Sequence, residues 1–397
     1  MKTNGKKTIA VVIYSNPDHY PPTINAINIL ARQFNVTVIC RNICNSGIAV
    51  NYPSNVTVRR LGKYIEFGQH ARQSRFFSLA EFALFILKTL WHVWKTRALL
   101  VYAYDAYGFV GGRVAALVRR LPIIYQNHDL IELKKATGTM RFLKLFELRF
   151  ARKTDMIIFP ELNRANIFAR EAALMTTPVI VKNTPLTLKE MPADRLRTAL
   201  SGRGYGPEEP VILYQGAIGP SHAIMEIIES IKYWGDSGIF VMLGYCSESY
   251  REDIFKKAET LGVQNRICLL PMVSYSELFS YTAGATVGMA LYQSYDVNWR
   301  NIGGASNKVF EYLATGVPVV LSRSESTQRL LGDSQWGKLA DPDSPFEIGT
   351  AVREWLEDGA HYAAARRAAL EAHRLEFNYE KEFEPVRQFI YRTLYGN

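Results

Sequence analysis

Short apolar runs alternate with amphipathic stretches along the first half of the chain. The runs are rich in β-branched residues, and each of them predicts a buried strand. They lie at 7–15, 35–40, 98–105, 121–129, 155–160 and 178–185. The stretch 24–34 repeats apolar residues at helical spacing and predicts one of the intervening helices. Continuous apolar strands separated by helices are typical of a parallel sheet covered on both faces.

The second half of the chain repeats this alternation as an independent series. Its apolar runs lie at 207–216, 238–244, 266–271, 285–292 and 317–322. A glycine- and proline-rich stretch, 201–210, opens the series and is interpreted as a linker. A chain of 397 residues is long enough for two domains with substantial cores. The pattern therefore predicts an α/β protein of two doubly wound domains with a cleft between them.

The loop within NIGGASNKVFEY, residues 301–312, combines features of a ligand site. Ligands of doubly wound sheets bind beyond the carboxyl ends of the strands, where loops lead into helix N-termini. Gly303 and Gly304 would let the backbone approach a ligand closely. Ser306 or Asn307 could cap the helix that follows, and free N–H groups there would suit a phosphate.

Glu311 is the candidate binding residue on that helix. It would point away from Val309 and Leu313, which are four residues apart and share the buried face. A carboxylate on the loop side could accept hydrogen bonds from two vicinal hydroxyls, such as those of a ribose. The alternative is a solvated glutamate that favours the positive end of the helix dipole, and spacing alone leaves both interpretations open.

The stretch SNKVFEYLATGVPVVLS, residues 306–322, resembles the signature of the GT4 family of retaining glycosyltransferases. The resemblance implies the GT-B fold, in which two Rossmann-like domains face each other across a cleft and a C-terminal helix crosses back to the first domain. It divides the chain into an acceptor- and membrane-facing domain at 1–190, a nucleotide-sugar-binding domain at 191–375, and the returning helix at 376–397.

The same resemblance assigns residues to a nucleotide diphosphate sugar. Glu311 is the expected ribose ligand, and Lys308 is expected close to the diphosphate. The stretches 211–218 and 261–292 are similar to the strands and turns that bind the nucleotide in this family. The other expected contacts come from the turn at Gly216, from main-chain groups of Pro271, Met272 and Val273 toward the base, and from backbone amides of Gly304, Ala305, Ser306 and Asn307.

Two departures from the family pattern concern the charged groups of the donor site. Gly303 stands where the family often has a second glutamate. Ala217 stands where an arginine is expected, and no lysine follows it in QGAIGPSHAI. Catalysis needs positive charge or hydrogen-bond donors where the leaving diphosphate develops charge. That role falls to Lys308, backbone amides, His222 or Arg300, and a chain without any substitute would be slow or inactive.

The acceptor side is marked by YQNHDLIE, residues 125–132, at the end of a predicted strand. By the family match His128 lies at the reaction centre, with Asp129 beside it; a structural histidine is the alternative. His128, Glu311 and Lys308 are thus the expected catalytic residues. The implied mechanism is front-face displacement with retention, in which the leaving phosphate oxygen helps take the acceptor's proton. No DxD-like pair stands out, which agrees with metal-independent chemistry.

Charge is distributed unevenly along the chain. The net charge is +10, but residues 1–190 alone hold 27 basic against 11 acidic residues. Two segments, 59–97 and 140–153, interleave basic with large apolar residues, as suits an anionic membrane surface. The alternatives are core helices with a basic edge, or nucleic acid, for which no binding motif is present. The residues expected at the acceptor or the membrane are Asp129, Arg72, Arg75, Lys88, Trp91, Trp94, Arg149 and Arg152.

These inferences predict a hexosyltransferase that moves a sugar from a UDP- or GDP-linked donor to a lipid-linked or lipid-anchored glycan in bacterial surface polysaccharide synthesis. The enzyme is expected to need no cofactor beyond its donor and to be cytoplasmic, peripheral on the inner face of the plasma membrane. Two alternatives stay open. One is a nucleotide-sugar 2-epimerase, which shares the two-domain fold; the other is a catalytically degenerate member that binds glycan or scaffolds a synthase.

Overall fold

A computed structural model describes residues 6–44, 50–66 and 75–396. Within them the chain divides into two compact units. Unit 1 comprises the residues up to Lys182 together with those from Tyr379 onward, and unit 2 comprises Asn183–Asn378. Each unit is built on one parallel sheet, so the predicted α/β class with two Rossmann-like domains is confirmed.

Among the described residues, unit 1 forms a sheet of seven strands in the order β3-β2-β1-β4-β5-β6-β7. These are β1 (Thr8–Ile13), β2 (Asn35–Cys44), β3 (Val56–Glu66), β4 (Leu100–Tyr104), β5 (Ile123–Gln126), β6 (Met156–Phe159) and β7 (Val179–Ile180). All neighbouring pairs are parallel, and Val11 of β1 lies between Val38 of β2 and Tyr102 of β4. β4 and β5 are buried along their whole length, as continuous apolar runs predict. The order reverses between β1 and β4.

Helices follow most strands of this sheet. They are α1 (Pro21–Gln33), α2 (Arg75–Lys95), α3 (Asp105–Arg119), α4 (Gly138–Ala151) and α5 (Leu162–Ala172). Ile24, Ile27 and Leu30 of α1 are buried, as their spacing predicts. Gly112 brings α3 against the sheet, since a Cβ added there would lie 2.8 Å from the Cβ of Ala103 in β4.

Unit 2 contains six parallel strands in the order β10-β9-β8-β11-β12-β13. The strands are β8 (Val211–Gln215), β9 (Ile239–Leu243), β10 (Ile267–Leu270), β11 (Val287–Ala290), β12 (Val319–Ser322) and β13 (Gly337–Ala340). The helices are α6 (Arg195–Ser201), α7 (Ile224–Ser230), α8 (Glu248–Thr260), α9 (Tyr275–Thr282), α10 (Val297–Arg300), α11 (Asn307–Ala314), α12 (Glu325–Leu331), α13 (Pro345–Glu357) and α14 (Gly359–Leu375). The order reverses between β8 and β11, which is where doubly wound sheets bind ligands.

Tyr312 fixes α11 against the centre of the second sheet. Its hydroxyl donates a hydrogen bond of 2.8 Å to the carbonyl of Leu213 in β8. Its ring lies over Gly288 of β11, where an added Cβ would come within 2.5 Å of ring carbons. Glycine at this strand position therefore allows the helix to approach the sheet closely.

The prediction of a linker at 201–210 is wrong. Leu196 and Leu200 of α6 precede that stretch, and both are buried in the same core as Val211 of β8. The units divide instead between Lys182 and Asn183, and again after Asn378. Glycine and proline at 201–210 form a turn within unit 2, because an exposed turn requires the same residue types as a linker.

The chain from Tyr379 onward forms the last two helices, α15 (Tyr379–Glu382) and α16 (Glu384–Tyr395). Tyr379 and Phe383 are fully buried. The Lys182 amine donates to the Glu382 carboxylate over 2.9 Å, which joins α15 to the segment that ends the first part of unit 1. The predicted return of the C-terminal helix to the first domain is confirmed.

We expect Gly288→Ala to destabilise unit 2 by about 1–3 kcal/mol, because a methyl group there meets the Tyr312 ring in a closely packed core. Urea-induced unfolding, followed by tryptophan fluorescence, measures the change in the free energy of unfolding. Gly206→Ala is the matched control, since a Cβ added at Gly206 has no neighbour within 4 Å. Equal unfolding free energies for the two variants would contradict this account of the packing.

Candidate active site

The carboxyl edge of the second sheet gathers the residues expected to bind a nucleotide sugar. Gly216 follows β8, 271–273 follow β10, and α11 follows the loop that leaves β11. Parallel strands bring these ends to one edge of the sheet. Gly216 has a φ of +117°, and a Cβ at Gly244 would lie 1.8 Å from the Gly216 carbonyl oxygen, so two turns meet here. Pro271 and Met272 are exposed, and Val273 is half-buried.

Glu311 lies in the second turn of α11 and is only 4% exposed, which excludes the solvated alternative. Its Oε2 accepts a hydrogen bond of 2.7 Å from Gln215 Nε2. Gln215 Oε1 in turn accepts one of 2.9 Å from Thr282 Oγ1. Burial raises the pKa of the Glu311 carboxyl to about 7, against the hydrogen bond from Gln215 and the charge of Lys308. Among the described residues no side chain or amide donates to Oε1, so that oxygen is available to a ligand.

Lys308 is a buried cation one turn before Glu311. Its Nζ lies 3.9 Å from the centroid of the Tyr214 ring and 4.9 Å from that of Tyr292. Rings at these distances attract a cation through their electron-rich faces. Burial nevertheless lowers the pKa of Lys308 to about 7, and Glu311 opposes this shift. A Cβ added to Gly216 would lie 3.7 Å from Nζ, so the amine stands beside the turn that follows β8.

The loop before α11 is held from two other segments. A Cβ at Gly303 would lie 2.6 Å from the carbonyl oxygen of Ser326, so the second glutamate of the family pattern has no room here. The N–H of Asn183 donates to the Gly304 carbonyl over 2.8 Å, and its side chain donates to the Ala305 carbonyl over 2.9 Å. The N–H of Ala305 donates to Ile302, which leaves that expected phosphate donor engaged within the loop.

The start of α11 differs from the capping expected from sequence. Ser306 occupies the N-cap position, but its hydroxyl bonds the Tyr292 hydroxyl over 2.6 Å instead of capping the helix. The side-chain oxygen of Asn307 is buried and has no partner among the described residues. The first-turn amides of α11 thus receive no side-chain cap, which suits an external acceptor such as a phosphate.

The position of the missing arginine and two candidates for its role have different environments. Ala217 is exposed, and its carbonyl accepts a hydrogen bond of 2.6 Å from the Tyr214 hydroxyl. Arg300 is exposed at the end of α10. His222 is only 9% exposed, and its ring centroid lies 5.1 Å from that of Trp299. The buried Nδ1 of His222 has no partner among the described residues. Of the three positions, only His222 places a buried, unsatisfied polar atom near Lys308.

On the acceptor side, His128 lies just beyond the end of β5 and is 6% exposed. Its Nε2 lies 3.1 Å from the hydroxyl oxygen of Thr23. The rings of Tyr20 and Tyr104 are nearly parallel to the imidazole, with centroids at 5.4 and 5.2 Å. Asp129 is exposed, in contrast, with 78% of its side-chain surface accessible.

Most of the expected membrane-facing residues lie on α2 and α4, which share a small apolar cluster with α3, and Arg152 directly follows α4. Trp91 and Trp94 are 47% and 58% exposed, Lys88 is half-buried, and Arg149 and Arg152 are exposed. Arg75 is the first residue of α2, and Arg72 lies outside the described residues. Within the described parts of the chain, no helix combines the length and the apolar character needed to cross a membrane.

Sequence reasoning missed the residues that support these side chains. Gln215 and Thr282 hold Glu311, Asn183 holds the loop before α11, and Thr23 contacts His128. Gln215 alone carries a local signal, because a polar residue ends an otherwise apolar strand directly before Gly216. The other contacts join residues distant in sequence, which no spacing rule detects.

The chain is similar to known proteins both in sequence and in structure. Residues 203–372, within unit 2, match the model of the family described as Glycosyl transferases group 1. No curated protein sequence matches the chain. Three solved structures resemble it over nearly the full length of both chains. Sucrose-phosphate synthase from Thermosynechococcus elongatus has a TM-score of 0.74 and 16% identity, and the match covers 98% of this chain and 99% of that one. HepE from Anabaena, in complex with UDP and glucose, has a TM-score of 0.71 and 13% identity, with 97% and 99% of the two chains covered. WaaG, a glycosyltransferase involved in lipopolysaccharide biosynthesis, has a TM-score of 0.66 and 15% identity, with 96% and 99% covered.

At these identities the solved structures establish the fold alone, and the family match covers residues 203–372 within unit 2. The chain has the GT-B fold, as the resemblance in sequence implied, and its residues 203–372 are similar to group 1 glycosyltransferases. The GT4 subfamily, the stereochemistry, the acceptor and the roles of individual residues stay predictions.

We expect acid to destabilise unit 2 partly through His222. Burial, and secondarily the charge of Lys308, lower the pKa of His222 from 6.5 to about 3. Between these values the unfolded chain binds a proton that the folded chain does not, so stability falls as the pH is lowered through this window. His222→Gln should therefore reduce the stability lost between pH 7 and pH 5 by up to about 2 kcal/mol.

Urea titrations at both pH values measure this difference. Ser221→Ala is the control, because it alters the neighbouring residue without removing a titrating group, and it should keep the wild-type pH dependence. An unchanged pH dependence in His222→Gln would show that the imidazole is not held neutral in the folded state.

Proposed function

We propose that the protein is a GT4-type retaining glycosyltransferase. It transfers a hexosyl group from a UDP-sugar to a lipid-linked or lipid-anchored glycan in bacterial surface polysaccharide synthesis. The donor is assigned to unit 2, through Glu311, Lys308 and the loop before α11, and His128 of unit 1 keeps its predicted catalytic role. One observation carries the proposal most directly: Glu311 is a buried carboxylate with one oxygen secured by Gln215 and the other free to accept a ligand's hydroxyl groups.

The ribose is assigned to Glu311 because a carboxylate is an acceptor with room for two vicinal hydroxyl donors. Lys308 supports the diphosphate as a positive charge kept out of water, where its field acts most strongly. A bound dianion favours the charged form of Lys308, since it opposes the burial that lowers the pKa of this amine. The unpartnered Nδ1 of His222 and the uncapped amides of α11 add hydrogen-bonding capacity in place of the missing arginine.

The reaction proposed is a front-face displacement that needs no metal ion. The bond between the anomeric carbon and the phosphate oxygen breaks, and the acceptor oxygen bonds to that carbon on the same face. The acceptor's proton passes to the leaving phosphate oxygen. His128 contacts the reacting sugar or the acceptor, while Asp129, exposed beside it, is assigned to the acceptor. Charge on the leaving group is balanced by Lys308 and by backbone amides.

A uridine donor is favoured over a guanosine donor by the structural relatives. HepE from Anabaena has been solved with UDP, with UDP and glucose, and with UDP-glucose. A structure described as a MnaA–UDP complex from S. aureus also shares the fold, with a TM-score of 0.60 and 13% identity. These relatives support a UDP-linked donor. Their sequences differ widely from this chain, and the sugar is to be identified by experiment.

Attachment to an anionic membrane surface is supported by α2 and α4. Trp91 and Trp94 of α2 and Phe142 of α4 expose large apolar areas, and Arg141 and Arg149 of α4 are also exposed. Aromatic residues combined with basic residues suit the interface of a membrane containing anionic lipids. Docking there would bring the enzyme to a lipid-linked acceptor at the inner face of the plasma membrane.

A catalytically degenerate glycan-binding protein is the second candidate, because Ala217 replaces the arginine of the family pattern. A transfer assay with radiolabelled UDP-sugars and lipid-linked glycans separates the two. Radiolabel in the lipid fraction, with the anomeric configuration of the donor retained, supports the transferase. UDP-sugar binding without transfer to any acceptor supports the degenerate alternative.

We expect Glu311→Ala to weaken donor binding by about 10- to 100-fold, because charge-assisted hydrogen bonds to the ribose contribute about 1.5–3 kcal/mol. Thermal-shift titrations with UDP-, GDP-, ADP- and dTDP-sugars provide the measurement, since a ligand specific to the folded state raises the Tm by mass action. Glu325→Ala is the control, because this exposed glutamate lies on the surface of α12 in the same unit. Equal donor affinities for both variants would contradict the assignment of Glu311.

We expect the full-length protein to bind vesicles that contain anionic lipid at low salt and to be released at high salt. Replacing Arg141 and Arg149 together with alanine should weaken binding by about 30-fold, at about 1 kcal/mol for each removed charge. The matched control replaces Arg203 and Arg367, two exposed arginines of unit 2. Sedimentation with vesicles measures the bound fraction, and equal losses in both double variants would remove α4 from the docking surface.

A further inference from the structure

The backbone on both sides of His128 is held by two charged side chains, the half-buried Asp105 and the buried Arg164. The Asp105 carboxylate accepts a hydrogen bond of 2.7 Å from the N–H of His128. The Arg164 guanidinium donates one of 2.9 Å to the carbonyl of His128. These groups belong to the two successive peptide units that flank the His128 Cα. Fixing both peptide planes fixes both backbone dihedrals and hence the direction of the Cα–Cβ bond.

Asp105 is built into an uncommon backbone conformation. It directly follows β4, begins α3, and has a φ of +52°, in the left-handed region that few residues other than glycine adopt. Burial raises the pKa of its carboxyl, while the charge of His128 and hydrogen bonds from the N–H groups of His128 and Asp129 oppose that rise. Asp105 is held in this uncommon conformation and directs its half-buried carboxylate at the backbone of one loop, which indicates that the conformation serves to hold that loop.

Arg164 approaches the same loop from α5. It is 1% exposed, and it also lies 3.8 Å from the Asp129 carboxylate. A buried guanidinium is costly unless its donors are satisfied, so its position is determined by the acceptors around it. The positive guanidinium of Arg164 contacts the carbonyl oxygen of His128, which is the negative end of a peptide dipole. The negative carboxylate of Asp105 contacts the N–H group of His128, which is the positive end of the preceding peptide dipole.

The imidazole ring is then positioned by its own neighbours. Thr23 lies within hydrogen-bonding distance of Nε2, and the rings of Tyr20 and Tyr104 lie nearly parallel to it. Tyr104 is the residue that precedes Asp105, so one strand end supplies both a ring for the imidazole and an acceptor for its backbone.

We propose that Asp105 is a positioning residue for His128: together with Arg164 it clamps the two peptide units around His128 and so presents the imidazole to the sugar in a fixed geometry. This inference rests on the proposed function for its catalytic consequence. It requires no contact between Asp105 and the substrate. A misplacement of a reacting group by about 1 Å reduces turnover about 100-fold, which sets the size of the expected effect.

The test compares variants of two aspartates that accept backbone hydrogen bonds at opposite ends of β5. Asp105→Gly removes the carboxylate, while glycine tolerates the left-handed backbone; Asp105→Asn keeps a side-chain oxygen that accepts from the His128 N–H. The matched control is Asp155→Gly, because Asp155 accepts a hydrogen bond of 2.8 Å from the N–H of Ile123 at the opposite end of β5. All three full-length variants are measured for kcat, for donor affinity, and for the 15N resonances of labelled histidine, with His128 assigned by its loss in His128→Gln.

Asp105→Gly should lower kcat by about 100-fold with unchanged donor affinity, and should shift or broaden the His128 resonance. Asp105→Asn should restore the wild-type resonance and most of the turnover. Asp155→Gly should leave both as in the wild-type protein. The inference is overturned if the His128 resonance is the same in Asp105→Gly as in the wild type, or if Asp155→Gly alters it equally. If the wild-type protein transfers no sugar, the proposed function fails, and the resonances still decide the positioning role.

Discussion

The buried hydrogen bond between Gln215 and the Glu311 carboxylate is the interaction on which the donor site depends. It joins the end of β8 to the second turn of α11, and through Thr282 it also joins α9. A carboxylate removed from water loses favourable solvation, and a single amide donor replaces only part of it. The remaining oxygen of Glu311 therefore has hydrogen-bonding capacity left, which the proposed function assigns to the hydroxyl groups of a pentose.

The two units position their candidate site residues in similar ways. In each, the parallel sheet brings strand ends and helix starts together at one edge, and a buried candidate site residue lies there. In unit 2, polar side chains from β8 and α9 hold Glu311. In unit 1, charged side chains from α3 and α5 hold the backbone of His128. Both side chains are fixed by neighbours distant in sequence, so they need little reorganisation when a ligand binds.

The sequence predicts the fold well because the signals that specify it are local. Apolar runs identified strands such as β4 and β5, and helical spacing identified α1. The linker was misplaced at 201–210 because a turn and a linker require the same residue types, and only the burial of Leu196 and Leu200 distinguishes them. Local patterns also located Glu311, whose helix follows a glycine-rich loop.

The environment of the site residues was beyond such patterns. The partner of Glu311 lies 96 positions away, and the partner of the His128 carbonyl lies 36 positions away. His222 resembles an ordinary loop histidine in the sequence, but the structure buries it against Trp299 and near Lys308. Burial of this kind depends on how distant elements pack, and it changes the chemistry of a side chain without changing its local sequence.

A crystal structure of the protein with a UDP-sugar bound tests the central claim most directly. The account predicts that the free oxygen of Glu311 lies about 2.5–3.0 Å from a ribose hydroxyl, the usual distance for a hydroxyl donating to a carboxylate. It also predicts that the diphosphate lies beside Lys308 and the start of α11. A nucleotide bound with its ribose away from Glu311, while Gln215 remains the only partner of that carboxylate, would contradict it.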